Sequence, residues 1–93
     1  MKTSKTSKFE ISEYLDNEEM IKEYLNVVLE EGTSEEIVVA LGHVAKAKGM
    51  TEIAKITGMS RASLYKSLSE GSHPQFETIL KVLRAVGWNL RVS

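Results

Sequence analysis

The stretch MTEIAKITGMSRASLYKSLSEG, residues 50–71, constrains the fold more than any other part of the chain. Within it Gly58 follows Ala54 by four positions and Leu64 follows it by ten. Two short helices that cross closely need a small residue at the crossing, and Ala54 supplies it. Between them the chain must reverse direction, and Gly58 can take the positive φ of a tight turn at little steric cost. The second helix must then return an apolar side chain to the first, which Leu64 does with Ile53 and Met59 nearby. Thirteen positions after the alanine the same logic asks for another apolar residue, but Ser67 stands there; Leu68, four after Leu64, is expected to supply that contact.

Ala, Gly and an aliphatic at these offsets form the pattern of a helix-turn-helix. With Leu64 and Leu68 turned inward, a step of about 100° per residue leaves Arg61, Ala62, Tyr65, Lys66 and Ser69 outside or at the margins. Ser60 is placed to cap this helix by accepting a hydrogen bond from the amide of Ser63 or Ala62. A helix of this kind enters the major groove of DNA, where Arg61 can bond guanine O6 and N7 together and the Ala62 methyl can meet a thymine methyl. Tyr65 and Lys66 can reach bases or phosphates. Thr51, Lys55, Ser60 and Ser63 stand where hydroxyls, amines and amides meet phosphate oxygens. The expected DNA-binding set is therefore Thr51, Lys55, Ser60, Arg61, Ala62, Ser63, Tyr65 and Lys66. The blander alternative, that Arg61 and Lys66 are solvent-facing charges, weakens once the Ala–Gly–Leu framework and the Ser60 cap accompany them.

Charge is divided along the chain in the same sense. Residues 1–43 hold four lysines against ten acids, a net −6, whereas residues 44–93 hold eight basic residues against three acids, a net +5; together they give −1. Such asymmetry suggests a nucleic-acid face in the basic half and a different role for the acidic one. Part of the acidic surface, carried by Glu18, Glu19, Glu23, Glu30, Glu31, Glu35 and Glu36, can meet a basic protein. Other chemistry is not indicated. With 93 residues and no cysteine, the chain is one modest domain without disulfides or thiolate metal sites. His43 and His73 have no second ligand at metal-like spacing, and the serines lack an acid–base partner, so no metal, catalytic site or cofactor is expected. No apolar run approaches a membrane span, and MKTSKTSKFEI has no apolar stretch behind it to act as a secretory signal. The expected location is cytoplasmic.

The remaining elements follow from periodicity and caps. Residues 1–8 read as a flexible polar tail, and KFEIS, with Phe9 and Ile11 on one side, as a short strand or extended arm. A first helix begins after Asp16 or Asn17 and stops at Gly32, its stripe being Met20, Ile21, Tyr24, Leu25 and Val28. A second begins after Thr33 or Ser34 and ends at Gly49, burying Ile37, Val38, Leu41, Val44 and Ala45. Thr51 is the candidate cap of the third, and the fourth runs from Ser60 to about Ser69. A fifth covers QFETILKVLRAVG through Phe76, Ile79, Leu80, Leu83 and Val86. Residues 87–93 alternate Trp88, Leu90 and Val92 with polar residues, as a half-buried strand does. A single strand leaves half of its backbone groups unpaired. It is therefore expected to pair with a second copy or with the KFEIS arm, which makes Trp88, Leu90 and Val92 candidate homodimer residues. The expectation is one domain over residues 9–93, with the arm and acidic helix at 9–32 and the helix-turn-helix at 50–70.

GMTEIAKITGMSRASLYKSLSEGSHPQFETILKVLRAVG resembles the lambda-repressor-like, Xre-type helix-turn-helix fold. With FEISEYLDNEEMIKEYLNVVLEEG in front of it, the chain is similar to the addiction-module antidote proteins, the HigA-like antitoxins of type II toxin–antitoxin pairs, from about Phe9 to Val92. The resemblance implies an all-α, five-helix domain with a short C-terminal strand. It also implies a dimer that binds double-stranded operator DNA, represses its own operon and neutralises a small RelE/ParE-like toxin. One position departs: Glu52 stands where many relatives carry glutamine, and a carboxylate there disfavours a phosphate contact. A stand-alone phage-type repressor without a toxin partner is the alternative, and a helical protein-interaction module a third reading.

Overall fold

In the computed structural model, which describes residues 10–88, a 3₁₀ turn at Ile11–Tyr14 precedes five α-helices. These are α1 (Glu18–Glu31), α2 (Ser34–Lys48), α3 (Met50–Thr57), α4 (Arg61–Ser67) and α5 (Phe76–Ala85). No strand occurs among the described residues. The expected C-terminal strand lies outside them from residue 89 onward, as do the tail and Phe9. Of the KFEIS arm, Ile11 departs from expectation, since it opens the 3₁₀ turn instead of extending.

Side chains set most helix starts. The Asn17 side chain accepts the Met20 amide at 2.9 Å, and acids follow it in the first turn of α1. At α2, Thr33 and Glu36 form a reciprocal capping box: the Glu36 amide donates to Thr33 Oγ1 at 3.1 Å and the Thr33 amide to Glu36 Oε1 at 2.9 Å. Helix α3 corrects the expectation for Thr51. It starts at Met50, directly after Gly49, so Thr51 sits inside the first turn and caps nothing. Helix α4 ends at Ser67, two residues before the expected stop.

Every helix contributes to one core. Leu25, Leu41, Val44, Ile53, Leu64 and Val82 are sealed from solvent, and burial of each such side chain stabilises the fold by about 1.5–3 kcal/mol. Four expected core positions are corrected, Val28 and Leu80 being only half-buried and outside the core cluster. Phe76, the first residue of α5, is 66% exposed, and Met20, in the first turn of α1, is 38% exposed. In the first turn of α1 Ile21, 6% exposed, takes the buried position and leaves Met20 at the edge of the stripe, and the Phe76 side chain has little packed opposite it. The inward face of α5 is Val82 and Leu83 with Ile79 beside them, and Val86 follows the helix into the core. Trp88 packs partly buried on that core, its amide donating to the Leu83 carbonyl at 2.9 Å.

One close approach positions α4. A Cβ built on Gly42, in the middle of α2, would lie 3.0 Å from the Leu68 carbonyl oxygen and 3.3 Å from the Leu68 Cβ. The backbone of α2 therefore touches the end of α4 at a point where a side chain would intrude. Among the described residues no helix is long and apolar enough to cross a membrane.

Candidate nucleic-acid interface

The turn between α3 and α4 is built from local hydrogen bonds. Thr57 Oγ1 donates to the Ile53 carbonyl at 2.8 Å, and the Ala54 carbonyl accepts the amides of Gly58 at 2.9 Å and Met59 at 3.1 Å. The second of these spans six residues, as in a Schellman termination, and Gly58 takes the left-handed conformation that it requires, with φ of 77°. Ala54 is buried where the helices cross. Ser60 then starts α4 by accepting the Ser63 amide at 3.0 Å. Leu64 and Leu68 both face the core, so Leu68 fills the place that Ser67 leaves open. Beyond α4, Ser72 Oγ donates to the Ser67 carbonyl at 2.6 Å and closes the following loop.

With α4 fixed on its inner side, its outer side is presented to solvent. Thr51, Lys55, Ser60, Arg61, Ala62, Ser63, Tyr65 and Lys66 are all exposed. Helix α4 carries Arg61 and Lys66 and no acid. The Arg61 guanidinium carbon lies 5.9 Å from the Tyr65 ring centroid, one helical turn away, within cation–π range. Through that contact Tyr65 favours a guanidinium held over the outer face of the helix. Of the three candidate dimer residues, Trp88 packs on its own core, and Leu90 and Val92 lie outside the described residues.

Of a second surface, the sequence shows the acids Glu31, Glu35 and Glu36 but not the apolar groove beside them. An open groove of about 940 Å³ runs between α1 and α2, lined by Tyr24, Val27, Val28 and Val39 and bordered by Glu31, Glu35 and Glu70. Val27 was the available signal, an apolar residue off the stripe of α1 and 54% exposed. His43 lines the same groove, with its ring centroid 6.5 Å from that of Tyr24. Desolvation lowers the His43 pKa below 6.5 and Lys46 acts in the same direction, while Glu10 opposes them. Desolvation also raises that of Tyr24. Glu10 pairs with Lys46 at 2.9 Å, which holds the Glu10 carboxyl below its ordinary value and ties the 3₁₀ turn to α2. Lys48 pairs with Glu18 across the start of α1.

These features define the class as a small all-α domain with a cationic outer helix and a separate acid-rimmed groove. The chain belongs to the family of probable addiction module antidote proteins, whose model matches residues 5–93. It is 41% identical over 91 residues to an uncharacterized protein of Haemophilus influenzae, an overlap of 98% of this chain and 94% of the relative. No solved structure shows significant similarity to it. Membership of an antidote family implies a toxin partner.

Proposed function

We propose that this chain is the antitoxin of a type II toxin–antitoxin module, acting in the cytoplasm as a homodimer without enzymatic activity, metal or cofactor. It binds operator DNA through a lambda-repressor-like helix-turn-helix formed by α3 and α4, represses its own operon and neutralises a RelE/ParE-like toxin. The observation that carries the DNA reading is the outer face of α4, where Arg61, Tyr65 and Lys66 stand exposed on a helix whose inner face is anchored by Leu64 and Leu68. Laid in the major groove, that face lets Arg61 bond one guanine through two hydrogen bonds, while Lys66 and Lys55 neutralise phosphates. Two copies then read two half-sites about one duplex turn apart, with Trp88, Leu90 and Val92 at the proposed dimer contact.

Growth tests the antitoxin part. Expression of the small gene beside this one should arrest cells, and co-expression of this chain should restore growth. Titration with the promoter tests the other part, with specific binding expected at the operator over scrambled DNA. Operator binding without toxin rescue would leave a stand-alone repressor. Rescue without operator binding would leave a protein-interaction module.

A further inference from the structure

We infer that the groove between α1 and α2 is the seat of the toxin, and that it takes a toxin segment with an apolar ridge flanked by lysine or arginine. The inference rests on the antitoxin reading and adds the surface that performs it. Tyr24, Val27, Val28 and Val39 give the groove an apolar floor that no described part of the chain covers. Its border carries Glu31, Glu35 and Glu70, together with Glu36, one of whose oxygens is held by the Thr33 amide. Among the described residues no lysine or arginine lines it. His43, the remaining titratable group there besides Tyr24, is held toward its neutral form by desolvation. The groove is thus apolar within and anionic around, the complement of a cationic amphipathic segment.

Its place in the fold supports the same occupant. None of the eight candidate DNA contacts lines the groove, so α4 can lie on DNA while the groove is filled. Glu31 ends α1 and Glu70 lies in the loop after α4, so the acids come from separate segments that only the fold brings together. Both side chains are exposed, and a lysine at the last residue of α1 suits the helix dipole, so reversing them leaves the fold intact.

The test is calorimetric titration of the purified toxin, the product of the neighbouring gene, into the full-length chain and its variants. Glu31→Lys/Glu70→Lys should weaken binding by at least about tenfold. Val27→Glu should do the same even though it adds negative charge, because it removes the apolar seat. The charge-matched pair Asp16→Lys/Glu77→Lys, which lies off the groove, should bind as wild type does. Thermal melts and operator titration of each variant confirm an intact fold.

Wild-type affinity in both groove variants would overturn the groove assignment and leave the antitoxin reading standing. Equal weakening by the two charge-reversed pairs would overturn it too, since long-range charge alone would then account for binding. Tighter binding by Val27→Glu would overturn the apolar seat. A wild-type chain that neither binds the toxin nor rescues growth would instead overturn the antitoxin reading itself.

Discussion

Arg61 and Tyr65 divide the work of the outer face of α4 between them. The guanidinium has the donors to read a guanine, and the ring 5.9 Å away limits where it can go. Arg61→Ala should therefore lower operator affinity by about 1–3 kcal/mol and leave affinity for scrambled DNA nearly unchanged. Tyr65→Phe keeps the ring and should lose little, whereas Tyr65→Ala should lose about 0.5–1 kcal/mol at the operator. Fluorescence anisotropy on both DNAs separates these outcomes. If Arg61→Ala bound both DNAs as wild type does, the assignment of α4 as the reading helix would fail.

His43 is the residue whose titration the fold should feel. Its folded-state pKa lies below 6.5, so the unfolded chain takes up its proton first as pH falls. The stability contributed by the neutral ring is complete above that value and declines below it, through the window down to the folded pKa. Melting temperature should accordingly fall as the pH drops below about 6.5, above the range in which most carboxylates titrate. His43→Gln should flatten that fall. An unchanged slope in this variant would assign the proton uptake to another group.

Among the elements, α4 is held by a close approach of the α2 backbone to its end. A Cβ built on Gly42 lies 3.0 Å from the Leu68 carbonyl oxygen, so Gly42→Ala requires the end of α4 to give by a few tenths of an ångström. Overpacking of this kind destabilises by about 1–3 kcal/mol. Because it displaces the reading helix, operator affinity should fall along with the melting temperature. Thr33→Ala removes one arm of the α2 capping box and should destabilise by about 1 kcal/mol with no change in operator affinity once folded. The contrast between the two variants tells a positioning contact from a purely local one.

What was legible in the sequence follows the same division between local and distant causes. Asn17, Thr33 and Ser60 act as caps, Gly58 reverses the chain and Leu68 replaces Ser67 in the core, because each of these roles involves neighbours within a few residues. Four of the eight proposed DNA contacts, Arg61, Ala62, Tyr65 and Lys66, were legible as exposed positions for that reason, since the inward leucines fix the outward face of α4. Thr51 was misread because Gly49 ends one helix and begins the next with no residue between. Phe76, Met20 and the apolar floor of the groove were not legible, because exposure there depends on which helix lies opposite, and periodicity does not report that; the acids Glu31, Glu35 and Glu36 beside it were.

At the scale of the whole molecule, the division of charge between an acidic first half and a basic second half becomes two surfaces on one body. With extents of 42 × 32 × 25 Å, two such bodies side by side match the spacing of about 34 Å between successive major-groove faces on one side of a duplex. The number of copies on the operator is measurable through salt. Each phosphate neutralised contributes about −0.9 to the slope of log affinity against log salt concentration. Lys66→Gln removes one contact per chain, so it should flatten the slope by about two units if a dimer binds and by about one if a single chain does. Lys55→Gln should behave alike, while Arg61→Ala should chiefly change the ratio of operator to scrambled affinity. A slope left unchanged by both lysine variants would remove α3 and α4 from the phosphate backbone. A change of about one unit would keep the interface and discard the dimer.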